Sequence, residues 1–199
     1  MRIVIVGYGR VGQRTARVLF EEGHEVTIVE NDPDKVRRAR TDGFEVVDGD
    51  GSNEAVMREV DLESADSVGG LTGDPNVNFT ACLLGREFGC RTVMRISEDY
   101  SEKIYERYAD DVDEVVYPER LGAAGAKTAL LGGSFNAIGD LTEQLQLSVV
   151  RVPAGAPIIG ERVSDIDVPE TARIYAHGRE REPMTIPMPG TTVSAGDRL

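Results

Sequence analysis

Tryptophan is absent from this chain, cysteine and histidine occur twice each, and lysine occurs only at Lys35, Lys103 and Lys127. Each scarcity excludes something. Cys82 and Cys90 stand eight residues apart in ACLLGREFGC, which reads as one helix. About 12 Å of helical rise then separates them, too far for a disulfide. No metal-ligand spacing is present, so buried free thiols in a reducing cytosol are expected. No apolar run approaches the roughly 18 residues that a membrane span needs. Strand-like IVIVG begins almost at Met1, which leaves no secretory signal to expect. Positive charge is also short: 22 basic residues face 35 acidic ones, for a net −13 and a pI near 4.6. Such a surface repels phosphate backbones and anionic headgroups, which argues against DNA, RNA or direct lipid binding. Acid-rich and lysine-poor composition suits a very salty cytoplasm; a G+C-rich genome favouring arginine codons would leave the same mark.

What the chain does have is alternation. Short β-branched runs and amphipathic stretches follow one another: RIVIV, then RVGQRTARVLFEEG; HEVTIVE, then DKVRRARTDG behind Asn31-Asp32-Pro33; FEVVDGD, then NEAVMREV. ADSVGGLTG precedes PNVNFTACLLGREFG, RTVMRIS precedes SEDYSEKIYERYAD, and VDEVVYP precedes ERLGAAGAKTALLG. Six β-α units predict an α/β fold, a Rossmann-like doubly wound parallel sheet covered on both faces. After GGSF the pattern changes. A short helical stretch, NAIGDLTEQL, leads to strand candidates LQLSVVRV, ARIYAHGR, EPMTIPMP and TTVSAGDRL, with a weak helix at ERVSDIDV. Residues 1–134 are therefore expected to form the Rossmann-like domain, and 135–199 a crossover helix with a small C-terminal α+β domain.

Gly7-Tyr8-Gly9-Arg10-Val11-Gly12 fits G-x-G-x-x-G, directly after an apolar strand and at the opening of a helix. Gly7 allows the tight turn, Gly9 the approach of a pyrophosphate, and Gly12 close packing of helix on strand. The freed amides of the helix's first turn would hold phosphate. Glu30, ending the second strand, is placed to accept hydrogen bonds from ribose hydroxyls, and a carboxylate there repels a 2′-phosphate. NAD, ATP or ADP is thus favoured over NADP. Asp50 and Gly51 follow the third strand and Thr72 and Gly73 the fourth, at the strand ends where open α/β sheets bind ligands. Asp50 suits an adenine or its ribose, or a helix cap shared with Ser52. Thr72 and Gly73 suit the second half of a dinucleotide, or a plain turn. A catalyst is harder to find. His24 lies at the amino edge of the sheet, and His177, in the small domain, reads as a surface residue. Lys127 has no acid partner nearby, and no nucleophile stands with a base. The pattern favours sensing a nucleotide over transforming it, with a small NAD-dependent oxidoreductase as the rival.

GYGRVG, the VE that ends strand two, DGDGS, LTGDPNVNFTACLLGREFG and MRIS occur in an order that resembles the RCK, or KTN, domain of TrkA- and KtrA-type proteins. VRVPAGAPIIGERVSDIDVPETARIYAHGRE and IPMPGTTVSAGDRL are similar to the TrkA C-terminal domain. The resemblance implies a cytosolic, non-catalytic regulatory subunit, peripheral at the inner membrane face through its partner. That partner would be an integral-membrane potassium uptake transporter. The subunit would form homodimers and then a ring whose shape, and so the pore, responds to NAD/NADH or, alternatively, ATP/ADP. The same module occurs in potassium channels and cation/proton antiporters.

By position, Gly7, Tyr8, Gly9, Arg10 and Val11 would line the pyrophosphate, and Glu30 would take the adenosine ribose. Asp50 and Gly51 would lie on the adenine side, Thr72 and Gly73 at the far ribose or phosphates, and Arg95 would reach the phosphates. Arg95 could equally pair with a surface carboxylate. Glu119, in YPER, resembles a position that helps hold a divalent cation in some members. Three departures stand out. Gly69-Gly70 should loosen the fourth strand, PNVN replaces a second acid after TGD, and the final apolar strand usual in the family does not follow Gly196-Asp197-Arg198-Leu199.

Overall fold

The computed structural model describes residues 1–96, 111–132 and 148–199, the last stretch without 170, 180, 181 and 189. The chain divides into two compact units, Met1–Gly133 and Ser134–Leu199. The helices expected over 97–110 and 136–145 lie outside the described residues.

In the first unit, strands β1 (Arg2–Val6), β2 (Glu25–Glu30), β3 (Glu45–Asp48), β4 (Ser67–Gly70), β5 (Arg91–Arg95) and β6 (Glu114–Val116) form one sheet. Their order is β3-β2-β1-β4-β5-β6, and all pairings are parallel. The chain leaves β1 for β2 on one side and later returns to β4 on the other, so the strand order reverses between β1 and β4. Ligands of open α/β sheets bind at the carboxyl end of such a switch point. The pleat sorts the core by alternation. Val4 and Val6 join Val29, Val68, Met57 of α3 (Glu54–Glu59) and Ala81 of α4 (Pro75–Glu87) on one face. Ile5 joins Val26, Ile28, Ala16 of α1 (Arg10–Glu21) and Ala39 of α2 (Pro33–Thr41) on the other. Burial on both faces is why β1 reads as an uninterrupted apolar run.

Helix starts follow side-chain chemistry. Asp32 caps α2 by accepting from the Asp34 and Lys35 amides, and Asp74 caps α4 through the Asn76 amide, each with proline at the tolerated first position. Asn53 caps α3, not Asp50 with Ser52; Asp50 instead accepts from the Ser52 amide at 2.8 Å and closes the preceding turn. A further helix, α5 (Pro118–Leu130), follows β6. Cys82 and Cys90 are buried free thiols, and burial pushes the Cys82 thiol up to about 11.

Of the glycine pair in β4, Gly70 is a fitting device, whereas a Cβ on Gly69 would meet only the Leu71 side chain at 3.6 Å. A Cβ on Gly70 would lie 2.6 Å from the Asn78 carbonyl oxygen and 2.7 Å from its Cα. The backbone of α4 thus rests directly on β4, and Gly85 does the same on the helix side, where a Cβ would meet Val68 at 2.6 Å. Close helix–strand approach, rather than a loosened strand, is what Gly70 and Gly85 supply.

Among its described residues, the second unit carries fewer strands than its sequence pattern predicts. Antiparallel bridges join Arg151 to Arg198, Arg162 to Thr192, His177 to Thr185 and Gly178 to Arg198. The stretch ERVSDIDV keeps only a 3-10 turn, Val163–Asp165. Val152, Val163 and Val193 form its core. The main chain of Leu199 pairs with that of Val150, donating and accepting at 2.9 Å.

His177 is not a surface residue. It is buried, with Nε2 2.8 Å from the Asp197 carboxylate, which also accepts from the Ser194 amide at 2.8 Å. An acid partner twenty residues on makes its burial tolerable. Burial alone would raise Asp197, yet the hydrogen bonds from His177 and Ser194 outweigh it and hold the carboxyl below its ordinary range. A depressed folded value stabilises above the unfolded pKa of about 4 and is lost as pH falls through the folded value. Thermal melts should therefore show this unit weakening below about pH 4. Asp197→Asn should lower its Tm near neutrality by about 5 °C, the effect of ~1 kcal/mol in a small domain, and flatten that acid limb.

Candidate functional site

Three loops leave the carboxyl edge of the sheet and converge. The Gly7 amide donates to Val29 at 2.8 Å, the Leu71 amide to Val6 at 2.8 Å, and the Gly49 amide to Glu30 at 3.0 Å, so each loop hangs from a neighbouring strand end. Gly7 has φ of 100°, and a Cβ there would lie 2.8 Å from Thr72 Cγ2. The turn after β1 therefore touches the turn after β4. A Cβ on Gly12 would lie 2.0 Å from the Gly7 carbonyl oxygen. Gly9 differs from both, with open space for 4 Å around its Cβ position. It is also the N-cap of α1, which has no side-chain cap and no acid in its first turn. An uncapped helix start at an open glycine leaves amides and a positive dipole end for an anion. Arg10 is exposed at that same end, with Val11 half-buried behind it.

Glu30 is buried at 6% exposure. Its Oε2 accepts the Tyr8 amide at 2.6 Å, and Oε1 accepts the Asn31 and Asp32 amides at 3.0 Å each. Lys35 Nζ stands 3.8 Å from Oε2. Three amides occupy three of about four acceptor positions on a carboxylate, which leaves one for a hydroxyl. Glu30 thus ties the glycine turn to the end of β2 and keeps capacity for one further donor.

Tyr8 offers no side chain to that space. Its ring is buried edge-on against Phe44, with centroids 5.8 Å apart. Its hydroxyl donates to Asp42 at 2.7 Å, just past α2. Burial, followed by that hydrogen bond, raises the phenol well above its usual range, so it stays protonated. Asp50 is exposed and held below the usual carboxylate range by the Ser52 amide and hydroxyl. Gly51 is buried beneath it, and a Cβ there would lie 2.2 Å from Val6 Cγ1. Packing of the β3 loop onto β1 accounts for that glycine. Gly73 is exposed, with open space around its Cβ position.

Arg95 points back into this cluster. Its Nη1 donates to the Thr72 carbonyl at 3.2 Å and its Nη2 to Glu119 at 2.9 Å. Of the histidines, His24 stands at the opposite edge of the sheet, 3.8 Å from Glu22. Among the described residues, no group of three or more histidine, cysteine or acidic side chains could hold a metal ion.

One organising residue escapes the glycine-centred reading. Asn78, 1% exposed in α4, accepts the Thr72 amide at 2.8 Å and hydroxyl at 2.7 Å on Oδ1. Its Nδ2 donates to the Thr72 and Arg95 carbonyls at 3.1 and 2.9 Å. These partners fix the amide's orientation and join the β4 turn to the end of β5. The signal available in the sequence was a polar side chain three residues into an otherwise apolar helix face. Asn78→Ala should leave the two donors and two acceptors without their partner and lower stability by about 2–4 kcal/mol in urea titration.

A doubly wound sheet with an uncapped helix start at its switch point and an acid ending β2 defines a Rossmann-like domain, here followed by a small second unit. The chain belongs to the TrkA family, matching the TrkA-N domain over residues 3–118 and the TrkA-C domain over 147–199. It is 28% identical over 200 residues to the Trk system potassium uptake protein TrkA homolog of Pyrococcus horikoshii, covering 97% of this chain and 87% of that one. The GsuK RCK domain matches in fold with a TM-score of 0.53 at 23% identity, over 99% of this chain and 42% of its own. The AMP-bound Kef CTD of Shewanella denitrificans matches with a TM-score of 0.54 at 20% identity, over 72% and 92%.

Proposed function

We propose that this protein is a cytosolic regulatory subunit of a membrane potassium uptake system, and that it senses an adenine nucleotide without transforming it. The observation that carries the reading is Glu30. Its buried carboxylate keeps one acceptor position beside a glycine turn whose helix start is uncapped. A ribose hydroxyl and a phosphate could use both at once. The amides of Gly9, Arg10, Val11 and Gly12 would face the phosphates, with Gly7 shaping the turn. Asp50 and Gly51 would border the adenosine half, and Thr72, Gly73 and Arg95 the other. Tyr8 contributes through its amide, which fixes Glu30. The unit ending near residue 134 would hold the ligand, and the remainder would form the small TrkA-C domain.

The relatives named as Trk potassium uptake proteins support the transport role, and the AMP-bound Kef neighbour supports an adenine nucleotide. NAD/NADH and ATP/ADP share the adenosine ribose that Glu30 would read. No helix among the described residues is long and apolar enough to cross a membrane, so a membrane partner would supply the pore. Leu121, Leu130 and Leu131, at the start and end of α5, are 65%, 87% and 78% exposed. Such apolar surface favours assembly into homodimers and a ring. Ligand binding would then favour one arrangement of the assembly over another.

Calorimetric titration of the full chain with NADH, NAD, ATP, ADP and AMP, with absorbance monitored for hydride transfer to a carbonyl panel, tests the proposal. Binding of at least one nucleotide without turnover is the expected result. Turnover would move the protein to the oxidoreductases.

A further inference from the structure

The proposed phosphate site already contains an anion of the protein's own. Arg95 is largely buried, its side chain 14% exposed, while its partner Glu119 is 46% exposed. The guanidinium spends Nη2 on Glu119 and Nη1 on the Thr72 carbonyl, and its buried Nε has no acceptor among the described residues. Thr72 is the residue that the Gly7 turn touches. Arg95 therefore stands one residue away from the glycine turn, oriented by the β4 loop and incompletely satisfied. Glu119 lies in the first turn of α5. Its carboxyl is held below the usual range by its own backbone amide first, then by Arg95 and Arg10. Both arginines expected at the phosphates thus act on this one carboxylate. A phosphate carries more charge than a carboxylate and more acceptor oxygens for a guanidinium fork. Of the two partners, the exposed glutamate is the one free to swing into water.

We propose that Glu119 is an internal competitor for the nucleotide phosphates, holding Arg95 in the unliganded protein and released, together with the first turn of α5, when a phosphate takes its place. The inference rests on the nucleotide reading of the site and gives it a mechanical output. Ligand charge is exchanged for the tether between β5 and α5. The device also reads phosphate number. An α-phosphate is held chiefly at the start of α1, whereas a second phosphate must draw on the arginines. Glu119 therefore opposes ADP more than AMP, and adenosine not at all.

Isothermal titration in 0.15 M KCl with EDTA, on wild type and Glu119→Gln, decides it. Glu119→Gln should bind ADP about tenfold more tightly, AMP about twofold more tightly, and adenosine unchanged. In an Arg95→Gln background, where only Arg10 still acts on the carboxylate, the gain in ADP affinity from Glu119→Gln should shrink to about twofold. A full tenfold gain there overturns the competition for Arg95. Unchanged or weakened ADP binding by Glu119→Gln overturns the competitor while leaving the nucleotide reading intact. Absence of binding by both proteins overturns the reading and the competitor with it. Hydrogen exchange of the wild type gives a test that no variant's folding can blur. ADP should speed exchange of the Leu121 amide, which donates to Tyr117 at 3.3 Å across the start of α5, about tenfold. No change there overturns the release of α5.

Discussion

Gly12→Ala is expected to cost about 3 kcal/mol or more of stability, whereas Gly9→Ala should be nearly neutral to folding and damaging to ligand binding. The two glycines belong to one motif, so only their surroundings separate them. A methyl on Gly12 would sit 2.0 Å from the Gly7 carbonyl oxygen, a backbone atom that cannot swing aside. Either α1 lifts away from β1 or the Gly7 turn opens, and both break the seat. Gly9 has an extended backbone, φ −78° and ψ −168°, that alanine adopts readily. Nothing lies within 4 Å of its Cβ position. A methyl there occupies the space that a pyrophosphate would use. Urea titration and calorimetry on both variants should show opposite patterns. Equal stability loss in the two would mean that Gly9 is packed as tightly as Gly12. Unchanged nucleotide binding by Gly9→Ala would mean that the space around Gly9 has no ligand to receive.

Removing the Glu30 carboxylate should weaken binding of any adenosine nucleotide by about 10- to 150-fold, the range for losing one hydrogen bond to a charged group. Glu30→Ala is the variant, and its binding should be measured against AMP, NADH and NADPH. The carboxylate also accepts the Tyr8, Asn31 and Asp32 amides. Its removal should therefore lower stability by about 2 kcal/mol as water replaces those bonds. That loss is separable from recognition through selectivity. Without the carboxylate, Lys35 keeps Asp32, 3.6 Å away, as its one close acidic partner among the described residues. The repulsion toward a 2′-phosphate then falls. NADPH should gain on NADH in the variant, and a uniform loss across all three ligands would mean that Glu30 acts only as a strut for the turn.

The division between sequence and tertiary structure follows the range of the forces involved. Local chemistry wrote the strands and helix starts: a β-branched run for β1, Asp32-Pro33 and Asp74-Pro75 for two helix starts, and the glycine turn with Glu30 at the next strand's end. These signals act over a few residues, so periodicity and capping carry them. The second unit was less legible. Its short strands alternate weakly and are held by isolated bridges between distant residues, such as Arg151 to Arg198. Local pattern does not encode such pairings.

The same limit explains the site. The sequence by itself determined the fold class, the glycine turn and the acid that ends β2, because each is fixed by steric freedom or charge at neighbouring positions. Only the tertiary structure decided what those residues do with one another. It turned Tyr8 inward to Asp42, made Gly51 and Gly70 points of backbone approach, and buried His177 beside Asp197. It also placed Asn78 under the Thr72 turn and Arg95 between that turn and Glu119. Hydrogen bonds and ion pairs act over a few ångströms in space, and residues 72, 78, 95 and 119 become neighbours only after the parallel sheet has set its order.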